Sequence, residues 1–402
     1  MTFNNIDVNM FLMKHINNYQ VRYMEQTITV KIQIKVSQEE HQNLHNTMQA
    51  YTDACNYVSE YIYDTHNLKQ RELNKTLYGK LRADFGLGAQ MAQSVMITVI
   101  AKYKTILKNQ KEWIKPIFRK PQIDLVWNRD YSLVNGRSLF SVNTLNGRIK
   151  CEFYDKGFES YFDAANKFGT AKLVCRHNKF FLHIPITYEI DILDTKDVSN
   201  VVGIDRGVRF LATSYDSSGK TVFYSGSKVK QKRAHYKALR KELQQVKTSS
   251  SRRRLKSIGQ RENRYVQDVN HCISKALVEN NPEGTLFVLE DLSGIRSATE
   301  KMRVKDRYVM VSWSYYDLEQ KLMYKALKNH QLVIKVDPKY TSQTCPKCGH
   351  TERGNRNKKL HRFCCKNCGY QSNDDRIGGM NLHRMGIDYL NNSLVPDAAV
   401  TE

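Results

Sequence analysis

The sequence predicts an α+β protein of two or three domains. A β-barrel-like module with a helical insertion comes first, followed by a mixed domain of strands and helices with a cysteine-rich segment. Three observations carry this reading. Strand patterns flank a helical stretch within the first 190 residues. After about residue 200, a three-strand meander leads into long basic helices and further isolated strands. Five of the nine cysteines crowd into positions 345–368. At roughly 150 residues per domain, a length of 402 residues agrees with that count.

Each element has its own justification. The first 23 residues are polar and Asn-rich, without the basic start and apolar block of a signal peptide. They read as a disordered leader, and Met24 is a plausible alternative start. Glu25–Val36 alternates apolar and polar residues, as a half-buried strand does. Ser37 and Glu40 form a capping box that opens a helix. Leu44, Met48, Tyr51, Cys55, Val58 and Ile62 give that helix one apolar face, and a second helix spans about Ala89–Leu107. From about Pro116 to Ile190 strands return. Leu139–Val142 and Ile149–Phe153 flank Asn146-Gly147, the strongest short hairpin signal, and His177-Asn178 is a weaker one. The module therefore covers 24–190, with its helical insertion at about 37–115, and the polar stretch 191–200 is a linker.

The second domain covers 201–390, with a tail at 391–402. Val201–Asp205, Phe210–Ser214 and Thr221–Tyr224 form the meander. Lys228–Val246 and Leu255–Leu277 carry apolar residues at heptad-like spacing and are expected to pair as a two-helix hairpin. Leu286–Leu289 is a short apolar run, consistent with a strand buried on both faces. A helix around Trp313–Lys328, a strand at Leu332–Val336 and a last helix at Asp375–Met385 complete the order.

Charge narrows the function. Sixty-three lysines and arginines face 40 acids, a net charge of +23. So basic a surface calls for an anionic partner, and nucleic acid is the usual one. No apolar run approaches the roughly 20 residues that cross a bilayer. Residues 228–264 hold 14 Lys or Arg against two acids, +12 of the +23. Arg252, Arg253 and Arg254 are adjacent cations that no neighbouring acid offsets, so phosphates would relieve their repulsion. The competing reading is a solvated face. Arg356 is a further candidate phosphate contact, with a solvated loop arginine as the favoured alternative.

Two constellations carry chemistry. Cys345, Cys348, Cys365 and Cys368 read as C-x2-C-x16-C-x2-C, the spacing of a four-thiolate structural zinc site, one ion per chain. Cys364 competes with Cys365 as the third ligand. Asp205 ends the strand VVGID, Glu290 ends LFVLE, and Asp375 beside Asp374 opens the last helix. Ionised carboxylates at the ends of buried strands are costly without a partner or a metal. Three from distant segments can hold two Mg2+ ions roughly 4 Å apart for phosphodiester cleavage, although helix capping explains Asp374 or Asp375 equally well.

The order of these elements matches the RNase H-like plan, and here the chain resembles a family, the TnpB (OrfB) proteins of bacterial transposons. These are RNA-guided DNA nucleases ancestral to the type V CRISPR effectors. The resemblance lies in GIDRG (203–207), LEDLSGI (289–295), YTSQTCPKCG (340–349) and CKNCGYQSNDDRIGGMNL (365–382). The helix at 312–326 and Asn270-His271 agree too. It implies a wedge barrel with an inserted recognition bundle, then a RuvC-like nuclease domain with a zinc ribbon at about 340–370. It aligns the catalytic, Mg2+-binding acids with Asp205, Glu290 and Asp375. The third motif usually reads Ala-Asp-x-Asn-Ala-Ala-x-Asn, and the step to Asn381 selects Asp375. Ile377, Gly378 and Gly379 depart from that pattern. The implied partners are a guide RNA from the transposon end and target double-stranded DNA, bound by a monomer in the cytoplasm, at the nucleoid when on DNA. A nuclease-silent RNA-guided repressor or transposition regulator, and a miniature CRISPR effector, are the alternatives.

Overall fold

The computed structural model describes residues 6–8, 23–110, 112–134, 138–154, 157, 159–292 and 315–394. Most of the expected leader, the tail beyond 394, and positions 293–295 and 312–314 of the quoted motifs lie outside them. The chain divides into two compact units, one built mainly from Glu25–Glu189 and the other mainly from Ile190 onward.

The first unit is organised around a nearly closed sheet. Its strands are β1 (Ile6–Val8), β2 (Tyr23–Lys35), β3 (Gln122–Leu125), β4 (Tyr131–Val134), β5 (Leu139–Thr144), β6 (Gly147–Tyr154), β7 (Lys167–Phe168), β8 (Ala171–Arg176) and β9 (Lys179–Asp191). They run in the order β3-β8-β9-β2-β6-β5-β4, with β1 paired to β2 and β7 to β9. Ile6–Val8, within the expected leader, is thus a strand. Both hairpins form: β5 and β6 turn through Leu145-Asn146, one residue earlier than the signal, with Gly147 opening β6 at positive φ, and β8 and β9 turn at His177-Asn178. His177 and Asn178 both have positive φ, the geometry of a type I′ turn. Between β2 and β3 lie α1 (Gln38–Thr65), α2 (Gln70–Phe85) and α3 (Ala89–Gln110), and α4 (Glu159–Asp163) follows β6. Ser37 Oγ accepts from the Glu40 N–H and Glu40 Oε2 from the Ser37 N–H, so the capping box closes α1. The apolar face read from Leu44 to Ile62 is buried. The sequence reading has no counterpart for α2, which buries only Leu73, Leu77 and Leu81.

The second unit holds a five-stranded sheet in the order β12-β11-β10-β13-β14. Here β10 (Asn200–Asp205), β11 (Phe210–Asp216) and β12 (Thr221–Ser225) form the antiparallel meander. β13 (Thr285–Glu290) runs parallel to β10, and β14 (Leu332–Val336) parallel to β13. The helices are α5 (Ser227–Val246), α6 (Ser249–Ile258), α7 (Arg261–Glu279), α8 (Tyr315–Lys328) and α9 (Asp374–Leu394). Side chains alternate along β10 and β13. Val202, Ile204, Phe287 and Leu289 pack with Val266, Leu277, Leu318 and Leu322 of α7 and α8. Val201, Leu286 and Val288 pack with Leu382 of α9. Helices cover both faces, which is why these strands read as continuous apolar runs.

The two-helix hairpin expected over 228–277 needs correction. Three helices occupy it, with helix breaks at Lys247 and Gly259, both at positive φ. The heptad seam fails on α5: Val229 is buried, Tyr236, Leu239 and Leu243 are half-buried, and Val246 is exposed. No helix among the described residues is long and apolar enough to cross a membrane.

Candidate metal and carboxylate site

Sheet topology gathers the acids. β10 and β13 are adjacent and parallel, so Asp205 and Glu290 leave the sheet at the same edge. The N-terminal turn of α9 brings Asp374 and Asp375 to that edge, because α9 packs closely on β10. An ideal Cβ on Gly203 would lie 2.1 Å from the Gly379 carbonyl oxygen, and one on Gly378 would lie 2.8 Å from Asp205 Cγ. Gly203 therefore admits no side chain, because its neighbours are backbone, whereas a Cβ at Gly378 would press on the Asp205 side chain.

Mutual repulsion is the electrostatic consequence. Loss of solvation, then the charges of Glu290 and Asp375, push the Asp205 carboxyl well above the usual carboxylate range, opposed by Arg356. Burial raises Glu290, against a hydrogen bond donated by Thr341 Oγ1. Burial and then Asp374 raise Asp375, again opposed by Arg356. Asp205, Glu290, Asp374 and Asp375 crowd together, with Arg356, Arg206 and Arg209 offsetting part of their charge, and divalent cations would neutralise what remains when the carboxylates ionise.

Several residues that the sequence reading did not assign hold this arrangement. Thr341 donates to Glu290 Oε1, and its carbonyl accepts from Asn381 Nδ2 at 2.6 Å, tying Glu290 to α9. Arg206, its side chain fully buried, donates to the Glu290 carbonyl and pairs with Glu319 at 3.0 Å. Both lie in motifs already quoted, GIDRG and YTSQTCPKCG, but these contacts span 40–113 residues of chain and leave no local pattern. The solvated-loop reading of Arg356 is overturned. Its Nε donates to Asp374 Oδ2 at 2.9 Å and its Nη1 to Ser342 Oγ at 2.9 Å.

The cysteine segment folds as two matching knuckles on a small sheet of β15 (Arg356–Asn357), β16 (Arg362–Cys364) and β17 (Gln371–Asn373). Cys345 and Cys365 each accept from the glycine four residues on, Gly349 at 2.9 Å and Gly369 at 3.0 Å, both glycines at positive φ. The sulfurs of Cys345, Cys348, Cys365 and Cys368 lie within 4.8 Å of one another, and Cys364 is outside the cluster. Cys345 and Cys368 are 3.6 Å apart and Cys348 and Cys365 3.5 Å. Sulfurs about 2.3 Å from a tetrahedral ion are about 3.8 Å apart, so the cluster fits zinc with little adjustment. Phe363 and Ile377 join this segment to α9 in one buried cluster. Arg252, Arg253 and Arg254 are exposed on α6, away from the carboxylates in sequence.

Comparison with known proteins agrees with these features. Residues 315–382 match the model of the Cas12f1-like TNB domain, and residues 183–293 match the OrfB_IS605 model, described as "Probable transposase". A CRISPR-associated endodeoxyribonuclease Cas12f1 of Sulfoacidibacillus thermotolerans is 31% identical over 228 residues, 53% of this chain and 52% of that protein. TnpB-like protein MJ0751 of Methanocaldococcus jannaschii is 28% identical over 206 residues, 49% of this chain and 73% of that protein. The chain spans about half the length of the curated Cas12f1 relatives it matches. Among solved structures, Cas12f1 in its complex with sgRNA and target DNA aligns with TM-score 0.58 at 15% identity, over 86% of this chain and 83% of that one. The mini-RNA-guided endonuclease CRISPR-Cas_phi3 aligns with TM-score 0.51 at 11% identity, over 90% and 92%. At such identities the likeness is one of fold. Together with the two matched segments and the TnpB-like and Cas12f1 relatives, it shows what this chain is similar to: TnpB proteins and miniature type V effectors.

Proposed function

We propose that this protein is a transposon-encoded, RNA-guided, Mg2+-dependent DNA endonuclease, acting at the nucleoid through a RuvC-type three-carboxylate site. The observation that carries the proposal is the convergence of Asp205, Glu290 and Asp375 from three distant segments, close enough that Glu290 and Asp375 both raise the Asp205 carboxyl. The parallel β10-β13-β14 arrangement, with its antiparallel β11 and β12, supports an RNase H-like reading of the second unit. The first unit then serves as the wedge barrel with its helical recognition insertion. The relatives named as endodeoxyribonucleases support the reaction class. A nuclease-silent regulator is disfavoured because all three acids are present.

Asp205, Glu290 and Asp375 would hold two Mg2+ ions, which when bound activate a water and stabilise the leaving oxygen. The chain's own residues supply the preorganisation. Thr341 and Arg206 fix Glu290 from its side chain and its carbonyl, and Asn381 holds the cysteine segment against α9. Arg356 balances part of the negative charge, and its place beside Asp374 and Asp375 supports a contact with the scissile phosphate. Cys345, Cys348, Cys365 and Cys368 would hold one zinc ion, making the segment a zinc ribbon. With four thiolates it offers no open position, so its role is structural. Sequence choice is delegated to base pairing with the guide, while the protein reads heteroduplex shape and a short flanking motif.

The test is to sequence the RNA that copurifies with the full chain, then to offer duplex DNA carrying its complement. The proposal expects one discrete RNA species and Mg2+-dependent cutting of the matched duplex only. Heterogeneous cellular RNA, with matched and unmatched DNA treated alike, would overturn it.

A further inference from the structure

At the N-terminus of α9, three polar atoms converge without a hydrogen bond. They are His361 Nδ1, Asp374 Oδ1 and Asp375 Oδ2, each buried and without a hydrogen-bond partner among the described residues. His361 Nδ1 lies 3.4 Å from Asp374 Oδ1 and 3.9 Å from Asp375 Oδ2. A single ligand atom from each residue falls within 4.8 Å of the others. Asp374 is wholly buried and Asp375 8% exposed, so each carboxylate keeps an unmet oxygen out of water, which is unfavourable without a cation. The nearby cation does not meet that need: Arg356 spends its Nε on the other Asp374 oxygen. The imidazole is held in place by its backbone. The His361 carbonyl accepts from Asp374 N and Asn373 Nδ2, both at 3.4 Å, and His361 sits at φ +52° between β15 and β16.

We infer that His361 Nδ1, Asp374 Oδ1 and Asp375 Oδ2 form a binding site for a first-row divalent transition-metal ion. Ligand atoms about 2.1 Å from one ion lie at most about 4.2 Å apart, and both His361 separations satisfy that limit. A ligand set of one imidazole and two carboxylates favours a transition ion over Mg2+, which prefers oxygen ligands alone and retains several waters. His361 is partly open to solvent, 29% exposed at its side chain, which leaves a path for the ion. The inference rests on the nuclease reading only in that Asp375 belongs to both sites. Binding by this cluster does not require that the protein cut DNA.

Mn2+ is the probe, added to the zinc-loaded full chain and followed by electron spin resonance in the presence of excess Mg2+. Bound Mn2+ in the parent should show a ¹⁴N coupling from imidazole in its spin-echo modulation. His361→Ala should abolish that coupling and weaken Mn2+ binding at least about tenfold, with zinc content unchanged. Asp374→Asn should weaken binding while preserving the coupling in the residual complex. A parent complex without ¹⁴N coupling, or a His361→Ala protein with the parent's affinity and spectrum, overturns the site. The parent spectrum decides the matter even where a variant folds poorly. A protein that binds Mn2+ through His361 yet cuts no DNA contradicts the nuclease reading alone. One that cuts DNA but shows no ¹⁴N coupling contradicts this inference alone.

Discussion

Gly203 on β10 faces the carbonyl oxygen of Gly379 on α9 across a gap too small for a methyl group: a Cβ there would lie 2.1 Å from that oxygen and 2.3 Å from the His383 nitrogen. Both obstacles are backbone, so neither can rotate away. Gly203→Ala should therefore push α9 off the sheet and separate Asp375 from Asp205. We expect a loss at or above the upper end of the ~1–3 kcal/mol typical of overpacking, read as a fall in thermal midpoint, together with loss of cleavage. Gly386→Ala meets only side-chain methyls, Val288 Cγ2 at 2.5 Å and Val201 Cγ1 at 2.7 Å, and should cost less.

The carboxylates should trade stability for function. Each of Asp205, Glu290 and Asp375 has its folded pKa raised, first by burial. A raised carboxyl holds its proton more tightly when folded, so stability is greatest below the unfolded value. It falls as pH rises toward the folded value. Asp205→Asn should accordingly raise the thermal midpoint of the metal-free protein at pH 8, with the gain shrinking as pH falls toward 4. It should also abolish the stabilisation that Mg2+ gives the parent. A variant less stable than the parent at pH 8 in chelator would contradict this.

How much of the fold is legible in the sequence depends on how local each signal is. The hairpins at Asn146-Gly147 and His177-Asn178, the Ser37–Glu40 capping box and the strands ending in Asp205 and Glu290 are set by neighbouring residues, and all appear where expected, the first hairpin turning one residue early. Helix α2 leaves a faint signal because its apolar face is three leucines four residues apart in a charged segment, and its N-cap, Lys69, makes no side-chain capping bond. The seam over 228–277 misleads because heptad spacing continues through Gly259, whose φ of +47° ends α6. Arg356, His361 and Thr341 have no local signature, because their partners Asp374, Asp375 and Glu290 reach them only through the fold.

Zinc content should distinguish the adjacent cysteines. Cys365→Ser should release the ion and lower the thermal midpoint, since zinc and folding are coupled in such clusters. Cys364→Ser should retain one zinc per chain, because its sulfur lies outside the cluster. Elemental analysis with the opposite result would assign the ligand to Cys364.

Nucleic-acid affinity should draw on the exposed run Arg252-Arg253-Arg254. Replacing all three with Ala should weaken binding across unrelated sequences. It should also flatten the slope of log affinity against log salt by up to ~0.9 for each duplex phosphate no longer neutralised, or ~0.7 on single strands. Zinc content should not change. Parent values for both affinity and slope would make the run a solvated face.

The most direct test of the three-carboxylate account is the single-turnover cleavage rate of matched DNA by the RNA-loaded protein in Mg2+, with the parent beside Asp205→Ala, Glu290→Ala and Asp375→Ala. The account predicts that each variant retains its RNA and its zinc while cutting slower by at least about 10²–10³-fold, the scale of losing one preorganised charge. Parent-like cutting by Asp205→Ala or Glu290→Ala would contradict it. Parent-like cutting by Asp375→Ala would instead transfer the third position to Asp374.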